Sequence, residues 1–199
     1  MSPRVLFLPG AGGAAAFWHA VGARLPAAWE KVYLSWPGLG DEPADPRVRG
    51  FDDLVALVEA ELTEPCDVVA QSMGGIVAVR VALRHPDKVR RLVLVATSGG
   101  VDVARFGAAD WREEYRREFP RASAWVTAER PDHTSEIGRI GAPTLLVSGD
   151  SDPISPVAVG EHLASLLPNA TLRVIRGGTH GMAAEHPNDV EPLIAAHLG

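Results

Sequence analysis

One cysteine, Cys66, stands among 199 residues, so no disulfide can form within the chain, and a reducing compartment is the natural setting. Positive charge is also scarce. Nineteen Lys and Arg against 25 Asp and Glu leave a net charge of -6, which argues against nucleic acid or an anionic membrane surface as partner. Long apolar runs are missing. The opening MSPRVLFLPG carries one basic residue, Arg4, and an apolar core only from Val5 to Leu8, too short for a signal-peptide core. No run approaches transmembrane length, so a cytoplasmic protein is expected. Internal repeats, low-complexity tracts and linkers are absent too, which predicts one domain over 1–199. What remains is ordinary: 46% apolar and 22% charged residues, in a chain long enough to bury a core without staples.

Six short apolar runs punctuate the chain: RVLFL (4–8), KVYLS (31–35), CDVVA (66–70), RLVLVA (91–96), TLLVS (144–148) and TLRVI (171–175). Most show little alternation, as strands buried on both faces of a parallel sheet do. Helix-like stretches lie between and after them at 17–25, 51–62, 75–85, 157–167 and 190–198. Strand alternating with helix predicts an α/β fold with an open, wound parallel sheet and helices on both faces.

One interval breaks the rhythm. Residues 99–139, about 40 in number, hold no strong strand candidate and exceed ordinary connection lengths. Within them DWREEYRREFP (110–120) reads as a helix, with Asp110 and Glu113 spaced as a capping box and Pro120 as its stop. Trp111, Tyr115 and Phe119 share one face of it. That stripe could pack on the domain, roof a site as a short lid, or meet another subunit. The oligomeric state is not readable from the sequence.

In a wound sheet, ligands gather beyond the carboxyl ends of the strands. Following the strands there are PGAGG (9–13), the segment Gln71-Ser72-Met73-Gly74, the turn 149–153 with Asp150 and Asp152, and GGTHG (177–181) with His180. Serine, aspartate and histidine thus fall on loops of one edge in the order Ser…Asp…His. A hydroxyl, an imidazole to take its proton and a carboxylate to hold the imidazole make a nucleophilic relay. Ser72 could instead be a plain helix cap. Asp150 competes with Asp152, and His186 is the alternative to His180.

Other motifs fall away. GAGG after a first strand hints at a dinucleotide loop, but a third glycine and an acidic residue after strand two are missing, and no phosphate-loop lysine follows. Cys66 and the seven histidines show no metal-ligand spacing, so neither metal nor cofactor is expected. Cys66 reads as a buried small hydrophobe.

Over nearly its whole length the chain resembles the α/β-hydrolase superfamily. Ala70-Gln71-Ser72-Met73-Gly74 is similar to the family's G-x-S-x-G nucleophile elbow, with alanine for the first glycine. LPGAGGAAAFW (8–18) resembles its oxyanion loop, with Pro9 where many relatives have histidine. SWPGLGDEP (35–43), HPDKVRRLVLVATSG (85–99) and IGRIGAPTLLVSGDSDPISP (137–156) follow the family pattern as well.

The resemblance implies Ser72 as nucleophile, Asp152 as acid, His180 as base, and backbone N–H groups of Ala11 and Met73 as the oxyanion hole. It further implies a sheet of six strands in the order 2-1-3-4-5-6, lacking the family's N-terminal hairpin, and a small esterase-like serine hydrolase with a short lid. Thioester hydrolysis, acyl transfer, carbon–carbon bond hydrolysis and ligand binding without turnover stay open. Trp18, Trp36, Trp111, Tyr115 and Trp125 are the candidate pocket walls, which would suit a small-molecule substrate with an apolar acyl or alcohol group.

Overall fold

In the computed structural model, which describes residues 3–128 and 132–199, every apolar run becomes a strand. The strands are β1 (Arg4–Leu8), β2 (Glu30–Tyr33), β3 (Cys66–Gln71), β4 (Val89–Val95), β5 (Thr144–Gly149) and β6 (Ala170–Ile175). They form one sheet in the order β2-β1-β3-β4-β5-β6, with every neighbouring pair parallel. The expected order is the one observed.

Period-two geometry divides the strand residues between two cores. Leu6, Leu8, Val68, Ala70, Leu92, Leu94 and Leu146 enter one, together with residues of α2 (Phe51–Glu61), α3 (Met73–Arg84) and α5 (Val157–Leu166). Val5, Phe7, Val69, Val93, Val95, Leu145 and Val147 enter the other, under α1 (His19–Gly22), α6 (Met182–Glu185) and α7 (Pro187–Leu198). Apolar side chains are therefore needed on both faces, which explains the unbroken runs. Only the edges depart from this. In β6, the edge strand, Arg173 faces water and Val174 is 46% exposed.

Three elements differ from expectation. The stretch at 17–25 forms a single-turn 3-10 segment, Ala15–Trp18, running into the four-residue α1. Gly22 closes it where the ring of Tyr33 leaves no room for a side chain, and Pro26 bars further helix. Helix α7 starts at Pro187, before Val190, since proline is preorganised for a first helical position. In the long interval, α4 (Arg112–Glu118) lacks the capping box. Asp110 instead accepts the Arg112 N–H at 3.0 Å, while Glu113 turns to Arg117. The rings of Trp111, Tyr115 and Phe119 nonetheless meet along one face, edge-on and tilted, with centroids 5.5 and 5.0 Å apart.

Between β4 and β5 the described residues contain α4 and three 3-10 turns but no strand. Part of the expected 99–139 insertion, residues 129–131, lies outside the described residues. No helix among the described residues is long and apolar enough to cross a membrane.

Cys66, at the start of β3, is buried, and burial pushes its thiol up to about 11 against a weaker opposing pull from Arg4. At pH 8 the native protein is therefore expected to resist a thiol-disulfide reagent such as DTNB, reacting with one equivalent only in denaturant. Fast labelling of the folded protein would contradict that burial.

Candidate active site

The carboxyl ends of β1, β3, β5 and β6 bring four loops together. Ser72 sits between β3 and α3 with φ 51° and ψ -121°, a backbone conformation side chains rarely adopt. The turn is tight because strand, helix and the first loop converge there. A Cβ on Gly74 would collide with the carbonyl oxygens of Pro9 and Leu8, the latter at 2.8 Å, and one on Gly75 would lie 2.7 Å from Thr97 Cβ. Ala70 is fully buried inside β3, paired with Leu8 and Leu94, and its single methyl fits where the family pattern has glycine.

His180 reaches Ser72 from the loop after β6. Its Nε2 lies 2.9 Å from Ser72 Oγ, and its Nδ1 lies 2.9 Å from Asp152 Oδ2. The Asp152 side chain is fully buried, and its other oxygen accepts the N–H groups of Ile154 and Ser155 at 2.9 and 3.0 Å. With the carboxylate accepting from Nδ1–H, the Nε2 lone pair faces the serine hydroxyl. This arrangement can pass a proton from hydroxyl to imidazole.

Two loops are laced together to hold that pair. Gly149 and Gly178 approach so closely that a Cβ on Gly149 would meet Gly178 Cα at 3.0 Å, and Ser151 N–H donates to Gly178 O at 3.0 Å. Asp150, the competing aspartate, is exposed and accepts the Gly177 N–H at 2.6 Å, so it belongs to this lacing and not to the imidazole. Gln71 adds a third tie, its amide donating to His180 O at 3.1 Å. His186 sits at the start of α7, with its N–H on Met182 O.

The turn after β1 packs on the elbow. Gly10 O accepts the Gly13 N–H at 3.1 Å, which puts Ala11 in the middle of a tight turn. A Cβ on Gly10 would touch Ser72 Cβ at 3.1 Å. Met73 is the first residue of α3, buried immediately after Ser72. Ala11 and Met73 thus lie on the two backbone segments that flank the serine.

A cavity of about 470 Å³ opens on Ser72 and His180. Met73, Ile76, Val101, Val103, Trp111 and Ile154 give it apolar walls, and exposed Asp102, Asp110 and Asp132 border its mouth. Of the five aromatic residues expected at a pocket wall, Trp111 is the one that lines it. Trp18 and Trp36 are fully buried, and Tyr115 and Trp125 pack in or against the core above the first face.

The polar atoms of Trp18, Trp36 and Tyr115 point at backbone instead. Trp18 Nε1 donates to Leu8 O at 2.9 Å and Trp36 Nε1 to Pro9 O at 2.7 Å. The Tyr115 hydroxyl donates to Ala11 O at 2.9 Å and accepts the Gly40 N–H at 2.8 Å. These ties, and those of Gln71, left no trace in the sequence. The apolar liners Ile76, Val101, Val103 and Ile154 were equally silent. Among the described residues, no group of three His, Cys, Asp or Glu could hold a metal ion.

Residues 5–192 match the model of the Alpha/beta hydrolase family. The chain belongs to this family. Its relatives within the alpha/beta hydrolases include the pimeloyl-[acyl-carrier protein] methyl ester esterase of Neisseria meningitidis serogroup B, 30% identical over 209 residues, covering 82% of this chain and 80% of that protein. The enzyme of the same name from Chromobacterium violaceum is 28% identical over 240 residues and covers 98% and 94%. Among solved structures, a thermophilic esterase from Thermogutta terrifontis superposes with a TM-score of 0.79 at 25% identity, covering 98% of this chain and 89% of that one. The protein is an esterase-like alpha/beta hydrolase.

Proposed function

We propose that this alpha/beta hydrolase cleaves carboxylic esters through an acyl-enzyme on Ser72. One observation carries the reading: the unbroken hydrogen-bonded chain Ser72–His180–Asp152, opening on an apolar cavity. His180 Nε2 takes the hydroxyl proton as Ser72 Oγ bonds to the ester carbon. The Ala11 and Met73 N–H groups receive the oxyanion, and the imidazolium, steadied by Asp152, gives its proton to the departing alcohol. A water then loses a proton to His180 and attacks the acyl carbon. The Ser72 Oγ–acyl bond breaks, and Oγ regains its proton.

The apolar walls favour an aliphatic or aromatic acyl group, and the 99–139 interval, through Val101, Val103 and Trp111, acts as a short lid over it. The Neisseria and Chromobacterium relatives are named for a methyl ester of an acyl chain. Methyl esters of medium-length acyl chains are therefore candidate substrates here.

The test is a series of p-nitrophenyl esters from acetate to decanoate, with the corresponding methyl esters and thioesters alongside. The value of kcat/KM is expected to rise with chain length until the cavity is filled and then fall. Absence of ester turnover across the series would reject the esterase reading. Thioester turnover alone would move the reaction to the alternative acyl chemistry.

A further inference from the structure

The turn that carries Ala11 is anchored from outside itself. Three ties reach its approach and its centre: Trp18 on Leu8 O, Trp36 on Pro9 O and Tyr115 on Ala11 O. Trp18 ends the 3-10 segment after β1, and Trp36 belongs to the loop that follows β2. Tyr115 comes from α4, in the separate interval between β4 and β5. We infer that Tyr115 is a positioning residue, its hydroxyl setting the turn so that the Ala11 N–H faces the developing oxyanion.

The geometry behind this is specific. Ala11 and Gly12 are the central residues of the Gly10–Gly13 turn, and the peptide between them is the one that turns over when such a turn changes type. Its oxygen is Ala11 O, the atom the phenol holds. Flipping it would change ψ of Ala11 and φ of Gly12, so the tie to its oxygen fixes the conformation of the residue whose N–H is the donor in this reading. The Tyr115 hydroxyl cannot drift, because it also accepts the Gly40 N–H, and Gly40 is itself pressed against Gly12 O.

The ring is equally confined. Tyr115 is 7% exposed and lies between Trp111 and Phe119. Trp111, the residue that leads into α4, lines the cavity, so one short segment both bounds the acyl site and fixes the donor turn. Substrate that presses on Trp111 thereby meets a turn already aligned.

This inference rests on the Ser72 ester-hydrolase reading, and the experiment separates the two. Tyr115→Phe keeps the ring and removes the tie. Its kcat is expected to fall roughly ten-fold with KM changed less than two-fold, because the lost alignment acts on the transition state. Affinity for a boronic acid that forms a tetrahedral adduct on Ser72 should fall by a similar factor, while affinity for the carboxylate product holds. Ile137→Val trims a fully buried side chain in the same interval at a residue that makes none of the ties to the turn. It is expected to lower Tm by as much as Tyr115→Phe yet keep kcat.

An unchanged kcat in Tyr115→Phe, with Ser72→Ala inactive, overturns this role alone. An equal loss of kcat in Ile137→Val also overturns it, because general loosening would then be the cause. Full activity in Ser72→Ala overturns the hydrolase reading and this role with it.

Discussion

Ser72→Ala is expected to lower kcat for p-nitrophenyl esters by a factor on the order of 10⁴–10⁶ while leaving Tm nearly unchanged. A loss of 10⁴ corresponds to about 5.5 kcal/mol of transition-state stabilisation. Alanine keeps the Cβ, so the strained backbone at φ 51° and its close contacts with Gly10 are retained. What disappears is the hydroxyl 2.9 Å from His180 Nε2. Initial rates corrected for spontaneous hydrolysis, beside a melting curve, check this. Undiminished rates in the variant would place the nucleophile elsewhere. A small residual rate above background is consistent with the reading, because binding and the oxyanion donors survive.

The second large effect separates the two aspartates of one turn. Asp152→Asn should cost about 10⁴ in kcat, and Asp150→Asn no more than a few-fold. The reason lies in the partners. Asp152 Oδ1 is committed to the N–H groups of Ile154 and Ser155, both donors. In the asparagine variant the carbonyl oxygen must stay on that side, so the NH₂ group turns towards His180 Nδ1. A donor there forces the imidazole proton onto Nε2, and the ring can no longer accept from Ser72. Asp150 contacts Gly177 N–H and Ser151 Oγ at 2.6 and 3.2 Å, so its replacement is expected to appear in Tm. Matched kcat and Tm measurements on the pair decide the assignment. Equal losses of kcat in both variants would dissolve the distinction.

Strand positions and order were legible because burial on both faces imposes a pattern that hydropathy registers directly. The loop residues were legible for a different reason. A wound parallel sheet sends the ends of β1, β3, β5 and β6 to one edge, so chemistry-bearing residues in those four loops had to be neighbours. The aromatic residues were misjudged because an indole or phenol shows two properties at once, apolar bulk and a polar tip. Sequence displays the bulk and suggested pocket wall for Trp18, Trp36 and Tyr115. The structure turns on the tip, whose carbonyl partner is settled only when the loops are folded. Gly74 and Gly75 make the complementary case. Their spacing after Ser72 was visible, but the reason for it, the carbonyls of Leu8 and Pro9 and the side chain of Thr97, lies far away in the chain.

The interval between β4 and β5 is, in engineering terms, a cartridge. It supplies Val101, Val103 and Trp111 to the cavity, whereas Ser72, Asp152 and His180 follow β3, β5 and β6. Exchange of such a segment ought to redirect substrate range while sparing the sheet. Tyr115 complicates the exchange, since its hydroxyl is wired to the turn at Ala11. A transplanted segment has to bring its own hydroxyl to that carbonyl, or the new specificity arrives with a slower enzyme. Recombination in a fold of this kind is thus modular in its walls and coupled where the segment ties to the site's loops, at Ala11 O through Tyr115 and at Pro153 O through the Ala109 N–H.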